Sequence, residues 1–166
     1  MMGFLNYRGM RVIGIRANPK RIFYSLINIS GETFSVSNDE LIIPVSFDVP
    51  QKLKYVRKTM LDIFNEYNIE FAGIRVAEPA ASSFGAHDSF RIMLEGNIQE
   101  LIASSKVQKY FLGIKVSMAS KLGLSNDGSI SAFVDGDEVF KEIPTWTKIS
   151  KEHRECILVA FATCNL

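Results

Sequence analysis

A chain of 166 residues, 47% hydrophobic and 22% charged, has the size and composition of one compact domain that buries its apolar surface without disulfides or a structural metal. Its formal net charge of +1 supplies no global field for nucleic acid and argues against strong non-specific binding. No apolar run reaches the roughly 18–20 residues of a spanning helix and the start lacks signal-peptide features, so the expectation is a cytoplasmic protein with no membrane partner.

Residues 1–9 (MMGFLNYRG) show no periodicity and read as an N-terminal extension, leaving 10–166 as a single domain. Arg11 to Ala17 is a short β-branched run, closed by a turn at Asn18-Pro19 and followed by the alternating run RIFYSLINIS, which together predict a hairpin. After the turn at Ser30-Gly31-Glu32, Thr33 to Ser46 predicts a third antiparallel strand, interrupted near Asn38-Asp39. Asp48 stands at a helix N-cap, with Pro50 in the first turn and Gln51 three residues on, and Leu53, Val56, Met60, Phe64 and Tyr67 follow at helical spacing. Glu70 to Ala77 is apolar enough for a strand covered on both faces.

Beyond the loop PAASSFGAHDS a second helix carries Phe90, Met93, Leu94, Ile98, Leu101 and Ile102, then Tyr110 to Val116 predicts a strand and Ser117 to Leu122 a short helix. The segments ISAFV and EVFKEI around Asp135-Gly136-Asp137 predict a late β-hairpin insertion. Ser150 caps a last helix, KEHRECILVAFATC, in which Cys156 and Cys164 lie about 12 Å apart along the axis, too far to bridge. The predicted fold class is α/β: three antiparallel strands, then parallel strands, flanked by helices.

Basic residues gather at Arg8, Arg11, Arg16, Lys20 and Arg21 and again at Lys52, Lys54, Arg57 and Lys58; these read as solvated faces before they read as a nucleic-acid patch. Trp146 reads as the edge of a core, Cys156 as a small core residue and His153 as a surface residue of the last helix. His87 and Asp88 read as a helix cap and its neighbour, with a base or ligand as the rarer alternative. A single glycine, Gly85, makes no phosphate-binding loop.

The element order resembles the ribonuclease-H-like fold, and three stretches sharpen the likeness. RVIGIRANPK resembles the opening strand of RuvC-type Holliday-junction resolvases, IRVAEPAASSFGAHDSFRIMLEGNIQELI their central strand, loop and helix, and EHRECILVAFA their last helix. The nearest pattern is that of a small uncharacterised bacterial family of RuvC-like proteins. The resemblance implies phosphodiester cleavage by two divalent ions held on carboxylates from the first strand, central strand and last helix. By that alignment Glu78, Glu152 and Glu155 are the catalytic candidates, and Glu78, Glu95 and Glu155 the candidate ligands of Mg²⁺ or Mn²⁺.

The likeness fails at its first ligand. Where active RuvC-type enzymes carry Gly-Ile-Asp, this chain has Gly14-Ile15-Arg16, and a guanidinium is always protonated and has no lone pair to give a cation. The expectation is a salt bridge such as Arg16 with Glu78, the alternatives being an altered metal site or a phosphate contact made by Arg16. Glu95 is expected to be an exposed helical residue. Three functions follow: a RuvC-like protein without the standard two-metal site and with a nucleic-acid-related or partner-binding role; an active metal-dependent endonuclease with a rearranged acidic site; or a structural protein acting as a homodimer.

Overall fold

The computed structural model describes residues 9–79 and 86–166, excluding the side chains of 86 and 87. Most of the predicted extension and much of the loop after the central strand, including Gly85 and the side chain of His87, therefore lie outside the described residues. Five strands form one mixed sheet in the order β3-β2-β1-β4-β5. Strands β1 (Met10–Asn18), β2 (Arg21–Ser30) and β3 (Thr33–Ile42) form an antiparallel meander. Strands β4 (Phe71–Arg75) and β5 (Lys109–Gly113) continue the sheet in parallel. The predicted third strand ends at Ile42 rather than Ser46 and is not interrupted at Asn38-Asp39, where the ladder to Ser25 and Tyr24 runs straight through.

One face of the sheet is covered by α1 (Val49–Glu66) and α2 (Ala86–Ala103). Helix α1 starts where the sequence places it, with a reciprocal capping box between Asp48 and Gln51, which satisfies two of the amides a helix start leaves unpaired. Val56, Met60 and Phe64 of α1 and Leu94, Ile98 and Leu101 of α2 pack on Ile13, Ile15, Ile22 and Ile74 of the strands. Strand alternation turns Gly14, Arg16, Gly73 and Arg75 to the opposite face.

That face carries α5 (Lys151–Cys164), backed by α3 (Lys115–Lys121), α4 (Asp127–Asp135) and two short 3-10 turns, Phe140–Glu142 and Trp146–Lys148. The predicted late hairpin is therefore helical. Asn126 caps α4 by accepting the Ser129 amide, and Gly136 stops it at φ 85°, so Asp135-Gly136 is a helix end and not a strand turn. Trp146 is fully buried, its indole N–H donating to Phe133 O at 2.9 Å. Buried Arg154 donates to the carbonyls of Trp146 at 2.9 Å, Val134 at 2.8 Å and Thr147 at 2.8 Å, clamping this layer to α5. Both cysteines are free thiols.

Helix α5 touches the sheet backbone because two register partners, Gly14 and Gly73, lack side chains. A methyl group on Gly14 would stand 1.8 Å from Cys156 O, and one on Gly73 2.3 Å from Thr163 Oγ1 and 2.7 Å from Val159 O. Gly96 on α2 faces open space. Gly14→Ala is therefore expected to lose about 3 kcal/mol by overpacking, whereas Gly96→Ala gains up to about 1 kcal/mol of helix propensity; urea midpoints of the two variants check both signs.

A candidate cleft closed by arginines

The register Ile15↔Ile74 places Arg16 and Arg75 side by side at the C-terminal ends of β1 and β4. They end the identical tripeptides Gly14-Ile15-Arg16 and Gly73-Ile74-Arg75, the glycine admitting α5 and the arginine meeting its N-terminal half. Ser150 caps the helix by accepting the His153 amide, and Glu155, one turn further on, faces the sheet. Arg16 Nε meets Glu155 Oε2 at 2.5 Å, and Arg75 Nε lies 3.8 Å from the same oxygen. Neither N–H is aimed at the carboxylate, so these buried atoms form no hydrogen bond and charge alone holds them together.

Arg75, with 5% of its side chain exposed, also donates to Glu78 Oε1 at 2.8 Å and to the carbonyls of Val76 at 2.5 Å and Gly113 at 3.4 Å. Glu78 accepts the Lys115 amide at 3.0 Å as well. The expected Arg16–Glu78 pair is thus replaced by Arg16–Glu155 and Arg75–Glu78, because the second arginine stands nearer the end of β4. Glu95 also departs from expectation: it is 5% exposed, accepting Arg91 Nε at 2.8 Å and the Ala77 amide at 3.0 Å. Arg91 reaches on to Arg75 O at 3.3 Å. Asp88 lies in the first turn of α2.

Burial raises the Glu95 carboxyl above the ordinary glutamate range, and the charge of Arg91 and the Ala77 amide only partly oppose it. Burial and the nearby charge of Arg16 lower Arg91. The Cys156 thiol is pushed well up by burial and then by Glu155, which makes it no nucleophile at neutral pH. Half-buried Glu152 makes no ion pair among the described residues.

The donor set does not suit a divalent ion. Mg²⁺ or Mn²⁺ wants carboxylate oxygens and water, yet Glu78, Glu95 and Glu155 each already hold a guanidinium. Among the described residues no group of three or more acids, histidines or cysteines is arranged to hold a metal. Each like-charge neighbour at about 4 Å would cost roughly 4 kcal/mol per unit charge at an effective dielectric of about 20. Sequence reasoning found Arg16, Glu78, Glu95 and Glu155 but missed Arg75 and Arg91; the repeated Gly-Ile-Arg tripeptide was the signal for the former.

The basic stretches are neutralised in part: Arg11 pairs with Glu70, Arg21 with Glu40 and Arg57 with Glu100. Among the described residues no helix is long and apolar enough to cross a membrane.

Comparison with known proteins confirms the architecture. No protein-family model matches the chain, and no curated protein matches its sequence. Among solved structures, RuvC of Thermus thermophilus superposes with a TM-score of 0.69 at 10% identity over 94% of both chains. The same protein in complex with Holliday junction substrate gives 0.67 at 11% identity, again over 94% of both. A yeast mitochondrial Holliday junction resolvase gives 0.53 at 18% identity, over 96% of this chain and 81% of that one. The fold is ribonuclease-H-like, of the RuvC type.

Two predictions follow from the cleft. Because its folded pKa is raised, Glu95 contributes stability that is full below the ordinary value of 4.5 and is lost as pH rises through its folded pKa; carboxyl ¹³C titration is expected to show Glu95 titrating above that value. Isothermal calorimetry with Mn²⁺ is expected to show no binding by the parent and at least about tenfold tighter binding, about 1.4 kcal/mol, by Arg16→Asp.

Proposed function

We propose that this chain binds branched nucleic acid without cutting it, as a RuvC-type protein that has exchanged the two-metal centre for an arginine–carboxylate lattice. The observation that carries the reading is Arg16 against Glu155 at the end of the first strand, where the resemblance calls for a metal-ligating aspartate. Its guanidinium neutralises the last-helix carboxylate from within, and Arg75 and Arg91 do the same for Glu78 and Glu95. A substrate bound there meets no bridging carboxylate and no ion to activate water. Junction binding is supported by the shared architecture of the Thermus protein solved with its Holliday junction. The net charge of +1 points to recognition of branch shape rather than to a general attraction for phosphate.

A rearranged metal-dependent endonuclease is the second reading, favoured by Glu152, which makes no ion pair among the described residues. A single experiment separates the two. In gel-shift assays a four-way DNA junction is expected to be retarded at concentrations that leave a linear duplex free, and to remain intact in Mg²⁺ or Mn²⁺. Junction cleavage by the parent that vanishes in Glu78→Gln would overturn the proposal in favour of the nuclease; equal affinity for duplex and junction would overturn it as well.

A further inference from the structure

The arginine cleft lies at the C-terminal ends of β1 and β4, and a second polar hollow lies at the opposite end of β1, on the face covered by α1 and α2. Helix α1 stops at Glu66, and past its end the side chains on that face of β2 and β3 change from apolar to polar. The register sets Arg11 opposite Asn28 and Asn28 opposite Ser35, so three donors form one row across three strands. Ser37 stands on the same face, opposite Leu26. These side chains and Tyr67 line a hollow of about 160 Å³.

Its polar groups are short of partners. Among the described residues the side chains of Asn28, Ser35, Ser37 and Tyr67 make no hydrogen bond. Arg11 meets Glu70 only at 3.9 Å, and its Nε–H is buried with no acceptor. A buried donor left in that state costs free energy that an incoming acceptor recovers. Arg11 also borders two neighbouring hollows, one of which brings Lys106 to set against Glu70. The last-turn carbonyls of α1 would disfavour an anion, but those of Ile63, Phe64 and Asn65 are taken by the amides of Tyr67, Ile69 and Asn68.

We propose that this hollow binds a small aromatic phosphate monoester, with its phosphoryl oxygens on Arg11, Asn28 and Ser35 and its ring against Tyr67. Three features select that chemistry. The donors are all positive or neutral, so the ligand supplies acceptors and negative charge. They come from three strands and a second position along β3, which suits the several oxygens of a phosphoryl group better than the two coplanar oxygens of a carboxylate. Tyr67 is 46% exposed, which leaves its ring free to stack on a flat organic body.

The test titrates the ¹⁵N-labelled protein with phenyl phosphate, inorganic phosphate and benzoate, following amide shifts. Phenyl phosphate is expected to move Ser35, Ser37 and Tyr67, while inorganic phosphate, which lacks the ring, and benzoate, which lacks the phosphoryl group, each bind at least about tenfold more weakly. Arg11→Gln is expected to weaken phenyl phosphate at least about tenfold. Tyr67→Ala lowers the affinity for phenyl phosphate and leaves that for inorganic phosphate unchanged. Should Arg11→Gln lose its native spectrum, Ser35→Ala combined with Ser37→Ala, both exposed, is expected to weaken phenyl phosphate at least about threefold. Shifts centred on Arg16, Arg75 and Arg91 would place the anion in the cleft and overturn the proposal. Benzoate binding as tightly as phenyl phosphate, an affinity indifferent to the folded variants, or no shift at all overturns it equally.

Discussion

The structure depends on how closely α5 can lie against the sheet. Gly14 and Gly73 are neighbours across β1 and β4, and both sit under the helix backbone at distances no side chain permits. Gly113 completes the clearing, since a methyl group there would stand 2.8 Å from both Met118 and Val159. The contact sets the height of α5 above the strands, and so brings the first turn of the helix level with the strand ends. Without that clearance Glu155 would stand too far from Arg16 and Arg75 for one carboxylate to serve both.

The cleft is a set of charges, from buried Arg75 and Glu95 to exposed Glu78, that compensate one another in pairs. Arg16 and Arg75 share Glu155, Arg75 also holds Glu78, and Arg91 holds Glu95. Replacing such a lattice whole with apolar groups can be neutral, but removing Arg91 would strand buried Glu95 at a cost of about 3–5 kcal/mol, while exposed Glu78 would lose far less. The lattice is therefore hard to leave by single substitutions.

Much of the fold was legible from local chemistry. The meander, the Asp48–Gln51 box and the Ser150 cap each rest on residues a few positions apart, and each stands where the sequence put it. The late hairpin failed because Asp-Gly serves equally as a tight strand turn and as a helix stop; only the Asn126 cap nine residues earlier, which accepts the Ser129 amide, decides between them. The site was legible by residue type and illegible by pairing. Arg16 is conspicuous because an aspartate was expected there, but its partner depends on the lateral register of β1 and β4, which nothing in the sequence states. Glu95 was misjudged for a related reason: its burial comes from the end of β4 and from Arg91, not from the apolar spacing of its own helix.

Arg154 and Glu155 are consecutive, about 100° apart around the helix, and they serve different neighbours. Arg154 grips three carbonyls of the layer behind α5, while Glu155 is drawn to the arginines of the sheet in front. The two residues act together to fix the rotational phase of α5 about its own axis, because a turn of the helix in either direction would lengthen the contacts of both. The first turn of α5 is thus set angularly as well as in height, and the carboxylate arrives at the strand ends already aimed.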